Sequence, residues 1–271
     1  MAGYKGSSIN PKKFEKGQIK LILAVTPLAI LMLLPIIFIF CHAFKPMTEL
    51  FTFPPRFFVV NPTLDNFRGL MKASQTSGIP MSRYVFNSLV VTLSDVLLSI
   101  VLSTTAGFAL SKLKFRGKEA LMEINNMALM FVPVAVMIPR YLVIDTLNIT
   151  NNYLAHILPL LAMPVSLFLV KQFIDQIPDA LIDAAYMDGA TDFVVYRRII
   201  MPMIRPAIAT AAILSFQQVW ANVESSNLYM SEDGLRTLAF YMNTLANANN
   251  TVAGQGIAAA ATLIMFVPNL V

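Results

Sequence analysis

Few side chains in this sequence are of types that do chemistry, and they fall into two sets. The first lies in one polar stretch, Ile177 to Pro206. There Asp179 and Asp183 stand four apart, on one face of a helix and near its positive end, where negative charge is favoured. Ala180, Ala184 and Ala185 keep that helix thin, so another protein can approach its backbone. Asp188, Gly189 and Ala190 follow, then Pro202. This is the chemistry of recognition rather than of bond cleavage. The second set is polar residues stranded in apolar runs, where ionisable groups are expensive. Asp95 either faces a translocation path and touches substrate hydroxyls, or pairs with a polar group on a neighbouring helix. Gln217, Gln218, Trp220, Asn222 and Glu224 place amides and a carboxylate beside an indole, as a sugar needs. An interfacial aromatic belt with polar flanks uses the same types. Glu123, Asn125 and Asn126 read as groups for interhelical hydrogen bonding or for packing against the polar 175–203 loop rather than for substrate contact, His156 as a satisfied interfacial residue rather than a proton relay, and Lys171 as a snorkelling cation.

No zinc-type Cys/His spacing and no phosphate-binding Gly-x-x-x-x-Gly-Lys-Ser/Thr occurs. The chain is therefore read as a non-enzyme with no cofactor or metal of its own, and any ATPase as a separate polypeptide. The single cysteine, Cys41, excludes an internal disulfide.

The elements that position these residues are membrane helices. Of 271 residues 56% are hydrophobic and only 13% charged, against about 25% charged in a soluble domain. The apolar residues fall in long runs, so the expected fold class is all-α integral membrane, with six transmembrane helices. Net charge is +5. The Lys and Arg residues cluster beside apolar runs, as the positive-inside rule requires, so no nucleic-acid partner is inferred. Residues 1–18, with Lys5, Lys12, Lys13 and Lys16, read as a cytoplasmic tail, and residues 19–271 as the membrane domain. The first span runs from Ile19 to Phe44 and is too long for a signal-peptide core. Residues 45–83 read as a polar outer connection whose Phe51, Phe53, Phe57 and Phe58 pack on the membrane surface or a partner. The second span, Tyr84 to Leu110, ends at Lys112, Lys114, Arg116 and Lys118, an inner loop. The third, Ala120 to Ile144, is expected to kink at Pro133 and Pro139. The fourth runs from Tyr153 to Ile174. A cytoplasmic loop over 175–203 follows, with Pro178 opening its first helix, Gly189 stopping it, Thr191 capping a second and Pro202 ending that one. The fifth span is Pro206 to Ala221, residues 222–253 an Asn-rich outer loop, and Gly254 or Ile257 starts the sixth. Six crossings put both termini in the cytoplasm.

The polar stretch resembles the coupling loop of binding-protein-dependent ABC importer permeases. That family's pattern is Glu-Ala-Ala, two residues, Asp-Gly-Ala, eight residues, then Ile-x-Leu-Pro. Here it reads Asp183-Ala184-Ala185, Tyr186-Met187, Asp188-Gly189-Ala190, eight residues, then Ile199-Ile200-Met201-Pro202. Asp183 replaces Glu and Met201 replaces Leu, and both keep the chemistry. Pro62-Thr63-Leu64-Asp65-Asn66-Phe67, Tyr84 with Asn87-Ser88-Leu89, Ala106-Gly107-Phe108-Ala109 and Phe115-Arg116-Gly117 resemble the carbohydrate, maltose-type branch. The branch usually shows Trp-Asn where this chain has Trp220-Ala221-Asn222.

The resemblance implies the type I ABC importer permease fold in a bacterial cytoplasmic membrane, with a coupling helix that docks into a groove on a cytoplasmic ATPase. Asp183 would meet a basic residue of that partner. It implies a second permease subunit of different sequence, two ATPase subunits that hold ATP and Mg, an external solute-binding protein, and a sugar substrate. The rival reading is an ion-coupled secondary transporter with Asp95 and His156 as relay residues. It predicts internal repeats with broken helices, no repeat is visible, and it leaves the Asp183–Pro202 spacing unexplained.

Overall fold

The computed structural model describes residues 16–76, 78–248 and 254–270, and every regular element among them is helical. In chain order these are α1 (Lys16–Ala43), α2 (Met47–Leu50), α3 (Asp65–Thr76), α4 (Met81–Lys112), α5 (Lys118–Met130) and, after a 3-10 turn at Pro133–Val136, α6 (Met137–Thr146). Then come α7 (Tyr153–Leu161), α8 (Pro164–Asp175), α9 (Asp179–Met187) and α10 (Asp192–Val195). A π-helical segment, Tyr196–Ile200, joins α10 to α11 (Met201–Met203), followed by α12 (Arg205–Trp220), α13 (Glu224–Tyr229), α14 (Leu238–Ala248) and α15 (Gln255–Leu270). The expected tail over 1–18 lies outside the described residues up to residue 15, as does the Asn-rich part of the 222–253 loop over 249–253.

Two helices, Gln18–Ala43 and α4, are long and apolar enough to cross a membrane in one piece. Three further crossings would each be made of two helices joined at a bend: α5 to α6 at 110°, α7 to α8 at 45°, and Asp192–Met203 to α12 at 80°. α15 is apolar but shorter. The third span is thus broken rather than kinked. Pro133 opens a 3-10 turn, and Phe131 and Val132 have extended backbone, so the chain turns sharply between α5 and α6. In the fourth, Pro164 begins α8 after the non-helical Ala162 and Met163. The connections expected over 45–83 and 222–253 also hold helices: α2 and α3 in one, α13 and α14 in the other.

The chain divides into two units, residues 1–72 with 245–271, and residues 73–244. In the first, α1 packs on α15, whose buried Ala260 and Ala261 permit close approach. The Asn66 amide closes this unit, donating to the carbonyls of Ala43 at 2.9 Å and Lys45 at 2.8 Å just past the end of α1. Gly256 lies against it, and a Cβ there would stand 2.5 Å from Asn66 Oδ1. The Glu49 carboxylate accepts the N–H groups of Val60 (3.1 Å) and Asn61 (2.7 Å), and those bonds hold its pKa below the usual range. Phe51, Phe53 and Phe58 are exposed, while Phe57 meets Phe38 and Phe58.

In the second unit α4 is the axis. It packs against α7, α8 and α12 along its length, about 48 Å at 1.5 Å per residue. Its polar residues Asn87, Ser88, Thr92, Asp95, Ser99, Ser103 and Thr104 are buried, and Leu89, Leu93, Leu97 and Leu102 are exposed. That inversion suits a helix whose outer surface is lipid and whose inner face meets polar groups. At Gly107, α4 and α8 come so close that a Cβ would lie 3.0 Å from Val170 Cγ1.

Candidate functional site

The hairpin α9–α11 sits at the Lys112 end of α4. Helix α9 begins at Asp179, with Pro178 at the N-cap, one residue before the first-turn position expected for it. It ends in a Schellman arrangement. Gly189 has φ +80° and donates to Tyr186 O at 3.0 Å, while Ala190 donates to Ala185 O at 2.9 Å. Asp188 N donates to Ala184 O at 3.0 Å. The Asp183–Ala190 pattern therefore has a geometric reason. Gly189 supplies the left-handed residue, and Ala185 and Ala190 are the small pair that closes the turn against the core.

Two details of the second helix differ from expectation. Thr191 occupies the N-cap of α10 but its hydroxyl makes no capping bond. Pro202 does not end the helix. Lacking an N–H, it leaves the Arg198 carbonyl without its usual donor, and the preceding turn widens to π geometry, with Met201 N–H reaching Tyr196 O. The helix continues to Met203 and then turns into α12.

The inner face of the hairpin is fixed. Ile177, Ile182, Val195, Ile200 and Ile204 are buried with Phe108 of α4, Val170 and Ile174 of α8, and Ala207 and Ala211 of α12. The Tyr196 hydroxyl lies 2.8 Å from Thr104 Oγ1. Lys112 donates to Ile177 O and to Asp179 Oδ1, both at 2.6 Å. That ammonium holds the Asp179 carboxyl below the usual carboxylate range. Asp175 accepts from Ser111 at 2.5 Å and from Lys171 at 2.6 Å, so Lys171 is ion-paired. Tyr186 donates to Asp192 at 2.9 Å, and burial with that carboxylate raises its phenol. The opposite face is bare. Asp183, Ala184 and Asp188 are exposed beside Leu181, Met187 and Phe193, with Met187 88% exposed. Pro202 is exposed too.

The polar residues within the spans separate into different roles. Asp95 is fully buried, and its Oδ2 accepts from Ser215 of α12 at 3.0 Å and from Ser99 at 3.4 Å. Through Oδ2 it therefore pairs with a neighbouring helix, while its Oδ1 is buried with no hydrogen-bond partner among the described residues. Gln217 and Gln218 are exposed on α12, whereas Trp220 is buried and stacked on Phe216 at 5.7 Å. Asn222 accepts the Ser225 N–H at 2.9 Å within the turn into α13, and Glu224 pairs with Arg140 at 3.3 Å. The expected cluster thus divides, because the helix ends at Trp220 and the residues beyond it turn to cap the next one. Asn125 donates to Pro164 O at 3.2 Å, an interhelical bond.

His156 is buried with both ring nitrogens engaged, to Ser225 Oγ at 2.8 Å and Leu235 O at 3.1 Å. It belongs to a clasp that fastens residues 222–238 to the Asn87 end of α4. Asn87 donates to the carbonyls of Gly234 (2.9 Å) and Arg236 (2.8 Å) and accepts from Tyr153 Oη (2.6 Å). Ser88 accepts from Leu238 N at 2.8 Å. Asn151, at φ +56°, accepts from Ser231 and Glu232. Asn87 carried no sequence signal beyond a resemblance, since its partners lie far along the chain.

Residues 99–271 match the family model described as the binding-protein-dependent transport system inner membrane component. The chain is 31% identical over 193 residues to the probable ABC transporter permease YurM of Bacillus subtilis, covering 69% of this chain and 64% of that one. It is 31% identical to the sulfoquinovosyl glycerol transport system permease SmoH of Agrobacterium fabrum, over 76% of this chain and 71% of that one. With the trehalose transport system permease SugB of Mycobacterium tuberculosis it shares 28% identity, over 88% and 85%. Its fold is that of a chain in the crystal structure of a bacterial ABC transporter that imports the acidic polysaccharide alginate, with TM-score 0.81, 19% identity and 96% of each chain covered. The chain belongs to the family of inner membrane components of binding-protein-dependent transport systems.

Proposed function

We propose that this chain is one of two permease subunits in an ATP-driven importer of an oligosaccharide or sugar derivative, and that α9 is its coupling helix. The observation that carries this reading is the two-faced α9–α11 hairpin. Its inner face is locked to three spans, and its outer face presents Asp183 between exposed apolar side chains. A helix so held transmits a push without absorbing it. Its bare face suits helix-in-groove docking, with Leu181, Met187 and Phe193 entering an apolar groove and Asp183 meeting a cation of the ATPase. The partner ATPases hold ATP and Mg, and their closure moves the permeases as rigid bodies between outward- and inward-facing states. The Lys112 end of α4 then faces the cytoplasm, and both termini lie on that side.

Sugar as the substrate class rests on the sequence branch and on the relatives, whose names specify sulfoquinovosyl glycerol and trehalose. A neighbouring alginate transporter structure includes its substrate-loaded periplasmic protein, at TM-score 0.56, in keeping with delivery by an external binding protein. Gln217 and Gln218, exposed on α12, are the proposed sugar-hydroxyl contacts. Asp95 supports the path by holding α4 to α12. An ion relay through Asp95 and His156 is not favoured, because both nitrogens of His156 are used in the clasp.

The test is purification of the chain from its native membrane, followed by binding of a sugar panel to the external protein that co-purifies. An ATPase, a second permease and a sugar-binding protein are expected. Isolation without any nucleotide-hydrolysing chain, with ionophore-sensitive uptake, overturns the reading.

A further inference from the structure

Between α4 and α5 the chain makes a short loop carrying four cations, and they are not equivalent. Lys112 turns inward to Ile177 O and Asp179. Lys118 turns back to the end of α4, donating to Ser111 O at 2.8 Å and Leu113 O at 3.4 Å. Lys114 and Arg116 are exposed, and among the described residues neither lies within ion-pair distance of a carboxylate. Lys114 is near enough to Asp179 to help hold that carboxyl down, but Asp179 is already bonded to Lys112. Asp175 is likewise taken by Lys171 and Ser111.

The loop walls a concavity of about 480 Å³, lined by Leu113, Lys114, Phe115, Lys118, Glu119 and Ala120. Glu119 lines it together with Lys114 and Lys118, and Arg116 is on the same loop. Phe115 lines the concavity, and exposed apolar side chains follow it in the chain on α5. Phe115 is 42% exposed, and Leu121 and Ile124, three apart on α5 and so on one face, are 51% and 58% exposed. Cations beside a hollow, followed within two helical turns by bare aliphatic side chains, match a molecule with an anionic head and an apolar tail.

We propose that this loop binds the headgroup of an anionic phospholipid, with the phosphate at Lys114 and Arg116 and an acyl chain along Leu121 and Ile124. Positive charge next to a span is ordinary for orientation. What marks this loop is that two of its four cations are spent on internal bonds while the other two are exposed, Lys114 at the wall of the hollow and Arg116 beside it in the chain. A free phosphate satisfies the cations and leaves the apolar strip bare, which is why a lipid is the better occupant. The site also adjoins the Lys112 clamp on α9, so a bound lipid steadies the loop that holds that helix. The binding site itself does not depend on the ATPase reading.

The test uses the whole chain, alone, in nanodiscs of phosphatidylcholine with or without phosphatidylglycerol, scored by lipids retained in native mass spectrometry. Wild type is expected to retain phosphatidylglycerol selectively. The double variant Lys114→Gln, Arg116→Gln should hold it roughly 30-fold less well, from two interfacial cations. Glu119→Gln, which removes the carboxylate lining the hollow, should retain it better than wild type, and a thermal unfolding midpoint of the double variant equal to that of wild type separates lost binding from misfolding. Equal retention by wild type and the double variant overturns the proposal. So does loss of the retained lipid to millimolar inorganic phosphate, which marks a free-anion site. Cross-linking of Lys114 or Arg116 in native membranes to protein rather than lipid overturns it as well.

Discussion

Replacing Asn87 by Leu keeps the number and branching of side-chain heavy atoms at a fully buried position and removes its polar group. Three hydrogen bonds go with it: the two donated to Gly234 O and Arg236 O, and the one accepted from Tyr153. At about 1 kcal/mol net per bond, the local cost is about 3 kcal/mol. Of the three, only the two bonds to Gly234 O and Arg236 O hold the segment 234–238, so about 2 kcal/mol of this acts on its opening, which should rise roughly 30-fold. Complete detachment is not expected. Arg83 still reaches Gly234 O at 3.1 Å, His156 still reaches Leu235 O, and Ser88 still accepts from Leu238 N. Hydrogen exchange reads the effect at the amides of Leu235, Arg236, Thr237 and Leu238, each bonded within the clasp. Their protection should fall roughly 30-fold, from the two lost bonds at about 1 kcal/mol each, while the amides of α8 are unchanged. Unchanged protection at those four amides refutes the reasoning that Asn87 is what fastens this segment. So does an equal loss throughout α7 and α8, which would mean a general packing defect.

Other outcomes follow from the same geometry. Gly189→Val places a β-branched residue at φ +80°, where a Cβ meets nothing within 4 Å. Its cost is backbone strain, at least about 1 kcal/mol, and uptake should be lost while membrane insertion by protease protection is normal. Asp183→Ala, on the exposed face, should leave thermal stability unchanged and abolish sugar uptake, and normal sugar-stimulated ATPase would contradict it. Gly256→Ala drives a methyl into the Asn66 amide, so unit one should lose about 2 kcal/mol for the two displaced bonds to Ala43 and Lys45, measured as a lower unfolding midpoint. Asp179 has a depressed folded-state pKa, so its pairing with Lys112 contributes fully above the ordinary carboxylate range and is lost as pH falls through the depressed value. A carboxyl-carbon NMR titration should place its midpoint below that of a denatured control, and Lys112→Gln should move it toward the control, with Lys114 and Lys118 keeping part of the depression.

The parts legible in the sequence were those written locally. The first and second spans, the Gly189 stop and the start of α15 follow from apolar run length and single-residue backbone preferences, and the structure has them within a few residues. Proline positions were legible, but their consequences were not. Proline fixes φ and removes a donor, yet the size of the bend depends on what receives the freed carbonyls. Hence Pro133 borders a 110° turn, Pro159 lies inside α7, and Pro202 is absorbed by a π turn. The polar connections hid α3 and α14 because helices of 12 and 11 residues are marginal alone and depend on packing that no local pattern shows. Asn87 and His156 join groups 66 to 149 residues away, a pairing that no local pattern announces. Trp220 and Asn222 looked like a sugar platform because their types fit one, but the helix end between them sends one into the core and the other into a cap.

The most direct measurement is site-specific photo-cross-linking from position 183 in native membranes, with a probe at exposed Met130 as control. The account predicts that the probe at 183 captures a nucleotide-hydrolysing subunit and that the probe at 130 does not. Capture of only lipid or this chain's own spans from position 183 would contradict it.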